Sequence, residues 1–311
     1  RIYFAGILFV FIFNIGSSTL RAVGDSKHPL YYLIVCCCVN IFLDLLLVVN
    51  FHMGVAGVAY ATLISQAVSA ILVTYKLVKS TDIMTLQLRR IRLYKNVLKH
   101  QLAIGLPTGF QSVMYNISNV IIQTALNSFG TDTVAAWSAY GKLDALYWMI
   151  ISAIGISITT FVGQNYGARK YGRVKKSVNV CLAMALLISV IMAVFLIAAR
   201  GPLFSLFTQD AEVVRIGSEM LALITPCYVF YVFIEVLSGA LRGMGDVLIP
   251  TIITLGGICV LRLIWIAGIL HFSPTVDMII YSYPITWIVT AVLFVIYYLY
   301  KKKRILNLKD V

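Results

Sequence analysis

Long apolar runs alternate with short polar segments along almost the whole chain. A run of about 20 apolar residues is long enough for an α-helix that crosses a bilayer. The sequence contains nine such runs, near residues 2–21, 30–51, 55–77, 102–128, 134–162, 179–200, 214–240, 251–270 and 278–300. The pattern therefore predicts an all-α polytopic membrane protein with nine transmembrane helices in this chain.

The composition agrees with a chain surrounded mainly by lipid, because 60% of the residues are hydrophobic and only 12% are charged. All six cysteines lie inside apolar runs without the spacing of a metal site, and the four histidines lie singly near predicted helix ends. We therefore expect no disulfide, no metal site and no organic cofactor.

The net charge of +13 comes from basic residues that collect in alternate loops, mainly at 76–99, 169–176 and 301–309. Such an excess marks the cytoplasmic side of a membrane protein. A nucleic-acid partner is not expected, because no basic face with interleaved aromatic residues is present. The charge pattern predicts a multi-pass protein of the cell membrane, with residues 79–99 and the tail 305–311 in the cytoplasm.

One motif occurs twice, as LRAVGDSKHP at 20–29 and as LRGMGDVLIP at 241–250. Glycine suits a tight reversal, aspartate can cap the next helix, and proline suits a first helical turn. We interpret both copies as loops between membrane helices with a structural or gating role. The repeated residues are Arg21, Gly24, Asp25 and Pro29 in the first copy and Arg242, Gly245, Asp246 and Pro250 in the second.

The repeat indicates a protein built from two similar halves, as in many secondary carriers. The second half begins near Asn96, so its counterpart would begin roughly 125 residues before Arg1 if the halves match throughout. We expect this chain to be the last two-thirds of a longer protein with two pseudo-symmetric six-helix lobes. The predicted parts are the last three helices of the N-lobe at 1–78, a linker at 79–99, a six-helix C-lobe at 100–304 and a tail at 305–311.

An acid surrounded by aromatic residues is predicted on the helix 134–162. At 3.6 residues per turn, five side chains share an arc of roughly 100°. They are Trp137, Tyr140, Asp144, Tyr147 and Trp148. Such a group could bind an organic cation, although a packed helix face near the membrane interface would show the same pattern.

Two other predicted helices add candidates for a substrate cavity. Gln111, Tyr115 and Asn119 form a polar stripe after Pro107, and Tyr231 lies on a later helix. Polar stripes in membrane helices face a water-filled cavity or hydrogen-bond to a neighbouring helix, and both interpretations stay open.

Acids at membrane depth are costly and therefore often functional. Asp44 follows Asn40 by about one helical turn, so both project from one face and could share a cation or a proton. Glu235 is a second candidate, on one face with Tyr231. We predict that Asp44, Asn40 and Glu235 couple transport to H⁺ or Na⁺, with a structural buried hydrogen bond as the alternative for the Asp44 pair.

Four motifs together resemble the multidrug and toxic compound extrusion (MATE) transporters. They are the doubled R-x-x-G-D-x-x-x-P motif, VNIFLDLLLV after its first copy, GLPTGFQS and GQNYGARKYGR. The resemblance implies a twelve-helix efflux antiporter that exchanges amphipathic, often cationic compounds for protons or sodium. It also implies an ion site at Asn40 and Asp44, which match the N-x-x-x-D pattern of the family's fifth helix. A second family site has an acid on the seventh helix, where this sequence has Tyr115.

The main prediction is therefore a monomeric antiporter, not an enzyme, that exports small amphipathic, cationic compounds by alternating access. A lipid or polysaccharide-precursor flippase of the same superfamily is the alternative, but its cavity should contain many basic residues. Apart from Arg262 and Lys142, basic residues avoid the predicted membrane interior. A distant alternative is an intramembrane aspartyl protease, suggested by the GxGD sequence that ends at Asp246, although the chain has no Tyr-Asp pair for a second acid.

Overall fold

A computed structural model describes residues 2–80, 85–272 and 275–306. These residues form nine long helical segments, a short helix at Arg200–Ser205 and a 3₁₀ turn at Leu88–Arg90, and they contain no strand. The long segments are α1 (Ile2–Ala5 and Ile7–Ala22), α2 (Lys27–Asp44 and the π-helical Leu45–Asn50), α3 (Gly54–Lys79), α4 (Lys95–Asn127), α5 (Thr131–Gly167), α6 (Tyr171–Ala198), α7 (Ala211–Ile224, the 3₁₀ turn Thr225–Cys227, and Tyr228–Gly243), α8 (Leu248–Thr254, the π-helical Leu255–Val260, and Leu261–Phe272) and α9 (Val276–Ile280 and Ser282–Leu306). The all-α prediction is confirmed.

Within the described ranges, eight of the nine segments are long and apolar enough to cross a membrane. The exception is α4, which is helical over 33 residues but carries many polar side chains, including Gln111, Asn116, Asn119 and Gln123. Each predicted apolar run therefore corresponds to a helix, and the protein is a multi-span membrane protein. The sides of the membrane on which its loops lie stay a prediction.

The chain forms two compact units, Arg1–Tyr94 and Lys95–Val311. The first unit contains α1 to α3, and α3 packs against both of the other helices. Gly16 of α1 lies against Val73 of α3 so closely that a β-carbon at residue 16 would be 2.7 Å from a Val73 methyl group. The boundary after Tyr94 lies within the predicted linker 79–99, of which residues 81–84 are outside the described residues.

The second unit contains α4 to α9 and is organised around α7, which packs against α5, α6 and α9. Glycines allow the close approach of α5 and α7. A β-carbon on Gly243 would lie 2.6 Å from the Thr159 carbonyl oxygen, and one on Gly239 would lie 3.0 Å from the Gly155 carbonyl oxygen. The Thr159 hydroxyl also donates a hydrogen bond of 3.0 Å to the Gly239 carbonyl. Small residues at such contacts are typical of membrane helix pairs.

Both copies of the repeated motif form the same helix end. The Gly24 N–H donates to the Arg21 carbonyl and the Asp25 N–H donates to the Leu20 carbonyl, at 2.9 and 3.0 Å. The second copy has the same two bonds, from Gly245 to Arg242 and from Asp246 to Leu241, at the same distances. This pair of bonds defines a Schellman cap, which requires a positive φ at the residue that glycine occupies. The φ angles are 92° at Gly24 and 83° at Gly245.

The aspartates of the two copies have different partners. Asp25 accepts hydrogen bonds from the His28 N–H at 3.2 Å and from His28 Nδ1 at 2.6 Å, so it caps the next helix as predicted. Burial would raise the pKa of Asp25, but these hydrogen bonds and the charges of His28 and Lys76 outweigh it and lower that pKa. Asp246 instead pairs with Lys301 Nζ at 2.7 Å and accepts a hydrogen bond from Tyr297, so it joins the loop to α9.

Substitution of Gly245 by alanine tests the helix-end geometry. We expect Gly245→Ala to lower the free energy of unfolding by about 1–2 kcal/mol, because an L-residue is strained in the left-handed region. Thermal unfolding in detergent would measure the change. Gly256→Ala is the control, because a β-carbon there meets no atom within 4 Å. Equal midpoints for the two variants would contradict the proposed cap.

Candidate functional site

A cavity of about 480 Å³ lies inside the second unit, among α4, α5, α7, α8 and α9. Its wall is largely aromatic and contains one acid and one base. The lining residues are Tyr115, Asn119, Gln123, Trp137, Tyr140, Gly141, Asp144, Trp148, Tyr231, Arg262, Tyr283 and Trp287. Six of them belong to the cavity set predicted from sequence, namely Tyr115, Asn119, Trp137, Tyr140, Asp144 and Tyr231.

The aromatic side chains of the wall pack against one another across several helices. The Trp148 ring meets the Tyr231 ring edge-on, with centroids 4.4 Å apart. Trp287 of α9 contacts both rings, at centroid distances of 6.1 Å from Trp148 and 5.5 Å from Tyr231. Edge-to-face geometry at these distances is favourable. The wall is therefore a connected set of rings that can hold its shape without a bound compound.

Asp144 is held in place by two aromatic donors. Tyr228 donates a short hydrogen bond to Oδ1, and Trp148 Nε1 donates one to Oδ2 at 2.5 Å. Trp148 follows Asp144 by four residues on α5, whereas Tyr228 begins the last part of α7. The contact between α5 and α7 therefore fixes the direction of the carboxylate at the cavity wall.

Tyr147 and Gln111 were predicted to line the cavity, and the structure places both outside its lining. Tyr147 is buried, stacks on Tyr228 with ring centroids 3.8 Å apart, and donates a 3.2 Å hydrogen bond to the Tyr228 carbonyl. Its hydroxyl also pairs with Ser189 on α6 at 3.1 Å. Tyr147 thus supports the residue that orients Asp144, because its position on the helix faces α7 rather than the open space.

Arg262 changes the expected charge of the cavity, which the sequence suggested to be acidic and aromatic. Its side chain is only 1% exposed, although it belongs to the lining. The guanidinium lies 4.0 Å from the centroid of the Tyr283 ring and donates one hydrogen bond of 3.2 Å to Thr286. In the part of the chain that the structure describes, no carboxylate lies within 4.0 Å of it.

Glu235, four residues after Tyr231 on α7, lies in a separate cavity of about 360 Å³. This cavity is lined by Ser152, Gly155, Ile156, Thr159, Thr160, Glu235 and Arg242. Arg242 Nη2 is 3.9 Å from Glu235 Oε1, and both side chains are partly exposed. The structure therefore does not combine Glu235 with Asp144 in one cavity, and it links Glu235 to the arginine of the second repeat copy.

Asn40 and Asp44 belong to the first unit, where both are partly buried on α2. Asp44 Oδ1 is buried and has no hydrogen-bond partner among the described residues, including Asn40. Asp44 is the last residue before the π-helical Leu45–Asn50, and such segments occur often at functional sites. Its role in ion coupling stays a prediction. The described residues contain no cluster of three or more His, Cys, Asp or Glu that could hold a metal ion.

The sequence pattern does not indicate every cavity residue. It places Trp148 in the arc on α5, but it does not indicate five other lining residues, namely Gln123, Gly141, Arg262, Tyr283 and Trp287. The last three come from α8 and α9, more than 100 residues after Asp144 in the sequence. A buried arginine in an apolar run was the available signal for α8, because a charge at that depth requires an interior partner or a cavity.

A family model described as MatE matches residues 107–267, which is just over half of the chain. A second model, described as lipid II flippase MurJ, matches residues 1–118. Both matches fall on apolar helices and the loops between them.

Among individual proteins, the chain is similar to several that are described as multidrug resistance proteins or transporters. The probable multidrug resistance protein YoeA of Bacillus subtilis is 25% identical over 99% of this chain and 69% of its own length. An FAD transporter of Shewanella oneidensis is 25% identical over 72% of this chain and 50% of its own length. The solved structure of a MOP superfamily transporter from Pyrococcus furiosus, described as having a binding pocket of reverse polarity, has a TM-score of 0.91 at 21% identity. That alignment covers 99% of this chain and 69% of the other chain, so the two chains share a fold over the aligned region.

The chain spans 49% to 69% of the length of the curated relatives it matches.

Substitution of Gly155 by alanine tests the packing of the Glu235 cavity. A β-carbon on Gly155 would lie 2.0 Å from Glu235 Oε1 and 3.0 Å from its Cγ. We expect Gly155→Ala to lower stability by about 1–3 kcal/mol, the usual cost of overpacking. The thermal midpoint in detergent measures this change.

Gly105→Ala is the control for the alanine's helix propensity, because residue 105 is also helical and has no neighbour within 4 Å. The double variant Gly155→Ala with Glu235→Ala should regain most of the loss. A double variant no more stable than Gly155→Ala alone would show that the Glu235 side chain is not the obstructing group.

Proposed function

The chain belongs to the MatE family, and from that membership and the aromatic cavity we propose that the protein exports amphipathic organic compounds across the cell membrane. Efflux is driven by entry of a coupling ion, H⁺ or Na⁺. The observation that carries this proposal is the Asp144 carboxylate, which Tyr228 and Trp148 hold at the wall of a cavity large enough for a drug-sized molecule.

The cavity wall suits compounds that combine an aromatic body with a positive charge. The rings of Trp148, Tyr231 and Trp287 offer apolar area and electron-rich faces. A cation near these rings gains cation–π attraction, which is stronger where water is excluded. The Asp144 carboxylate adds a negative charge in the same cavity, so cationic amphipathic compounds are favoured over neutral ones.

Ion coupling requires a second group whose occupancy changes which state of the transporter is favoured. Asp44 and Glu235 are the proposed groups, since both are acids of partly buried helix faces and neither lines the aromatic cavity. Protonation or sodium binding would neutralise a carboxylate that otherwise opposes one of the two states. Alternating access then follows from movement of one half against the other.

A lipid or polysaccharide-precursor flippase is the second candidate, favoured by the match of residues 1–118 to the MurJ model. Such a protein binds anionic headgroups, and a cavity for them needs several cations. Arg262 is the one basic residue among the twelve that line the aromatic cavity. This composition favours export of organic compounds, and the relatives described as multidrug resistance proteins support the same choice.

The efflux of ethidium from vesicles that contain the purified full protein tests the proposal. We expect a gradient of H⁺ or of Na⁺ to drive efflux, and Asp144→Asn to raise the half-saturating ethidium concentration about tenfold, since a lost charge contact of 1.4 kcal/mol has that effect. Asp132→Asn is the matched control, because Asp132 lies in the exposed first turn of the same helix.

The same vesicles test the coupling group. Asp44→Asn should leave ethidium binding intact and remove the response to the gradient that drives the wild type. Absence of gradient-driven movement by the folded wild-type protein would contradict the export proposal. Movement of fluorescent lipids instead would favour the flippase.

A further inference from the structure

We infer that the aromatic cavity contains an anion subsite at Arg262 and Tyr115, so that its preferred compounds carry an anionic group as well as a cationic one. This inference rests on the proposed export function and specifies the substrate class of that same cavity. The compounds are aromatic and amphoteric, with a carboxylate directed to Arg262 and an amine or ring cation directed to Asp144.

The first argument is the state of Arg262. A guanidinium has five donors and no acceptor, and a charge that is buried without a partner is costly. The Arg262 side chain is 1% exposed, yet its recorded partners are one threonine hydroxyl and the face of the Tyr283 ring. Arg262 Nε has no hydrogen-bond partner among the described residues. A carboxylate in the cavity would supply the missing negative charge.

The second argument is a neighbouring donor that also lacks a partner. The Tyr115 hydroxyl is buried, lines the same cavity and has no hydrogen-bond partner in the part of the chain that the structure describes. Arg262 lines the same cavity as Tyr115. The two residues come from α4 and α8, so distant parts of the sequence bring the Tyr115 hydroxyl and Arg262 Nε, both without a hydrogen-bond partner among the described residues, to the wall of one cavity. A buried donor left without a hydrogen-bond acceptor destabilises the protein.

The third argument is the separation of the two charges. Asp144 and Arg262 both line the cavity, but no ion pair of 4.0 Å or less joins them. The Arg262 guanidinium lies over the Tyr283 ring instead, 4.0 Å from its centroid. A simple cation would leave Arg262 uncompensated, and a simple anion would meet Asp144. A compound with both charges satisfies both groups, and charge effects are strong where water is excluded.

A purely structural role for Arg262 makes a different prediction. In that case the hydrogen bond from Arg262 to Thr286 would connect α8 to α9. Removal of the Arg262 side chain would then weaken transport of every compound to the same degree. An anion subsite instead changes the ratio between compounds that differ only in their anionic group. Selectivity is therefore the informative measurement.

The experiment compares a carboxyrhodamine, which is a zwitterion, with its methyl ester, which keeps the same cationic ring system and has no anion. Efflux of each dye from vesicles with the full protein gives two half-saturating concentrations. We expect the wild type to prefer the zwitterion. Arg262→Met, which keeps side-chain volume, should lower the preference about tenfold, mainly by weakening efflux of the zwitterion.

Two further variants keep the result interpretable. Lys142→Met is the matched control, because Lys142 is an exposed base of α5 that lies over the Phe207 ring and outside the cavity. Tyr115→Phe removes the unused hydroxyl without a change of shape, so it should fold even if Arg262→Met does not. It should lower the preference for the zwitterion by a smaller factor, while Lys142→Met should leave the preference unchanged.

The outcomes separate this inference from the function on which it rests. If the wild type exports neither dye under any gradient, the export proposal fails. If it exports both dyes and the ratio of their half-saturating concentrations is unaffected by Arg262→Met and by Tyr115→Phe, export stands and the anion subsite is contradicted. A fall in the ratio for both variants supports the subsite.

Discussion

The close contact between α5 and α7 is the interaction on which both cavities of the second unit depend. Gly155, Gly239 and Gly243 lack the β-carbons that would keep the two backbones apart. The contact between the two helices brings Tyr228 of α7 to Asp144 of α5. It also brings Glu235 of α7 close to Gly155 of α5. One helix pair thus positions an acid at an aromatic wall and a second acid near the end of α7. Within a bilayer, polar groups need protein partners, and this contact supplies one for Asp144.

The aromatic cavity contains one acid and one base that do not form an ion pair with each other. Asp144 accepts hydrogen bonds from Tyr228 and Trp148, whereas Arg262 is buried with few partners. A protein that needed these groups only for stability would gain more from a direct pair or from apolar side chains. The arrangement therefore points to a bound compound as the missing partner. Membership of the MatE family does not by itself fix the charge of that compound, since one similar protein is described as an FAD transporter.

The fold and half of the residues that line the cavity, six of twelve, followed from local sequence patterns. The apolar runs predicted each long helix, and helical periodicity placed Trp137, Tyr140 and Asp144 together because one helix carries all three. The contributions of Arg262, Tyr283 and Trp287 could not be predicted in this way, because α8 and α9 reach the cavity only through tertiary packing. The π-helical segment before Arg262 also changes the register of α8, and no residue pattern in LGGICV indicated it.

The repeated motif also combines a feature that the local sequence predicts with one that depends on tertiary packing. Its glycines predicted both tight helix ends, because a positive φ is a local property of the backbone. The partner of each aspartate depends on which helix passes nearby. Asp25 therefore caps α2, the helix that follows it, whereas Asp246 pairs with Lys301 of α9.

The most direct test of the central claim is to locate a bound compound in the full protein. A crystal of the protein with a bromine-labelled aromatic cation would show the label by anomalous scattering. The account predicts a peak within the cavity, roughly 4 Å from the rings of Trp148 or Trp287 and on the side of Asp144. A peak elsewhere, with the cavity unoccupied and Asp144 still hydrogen-bonded to Tyr228, would contradict the account.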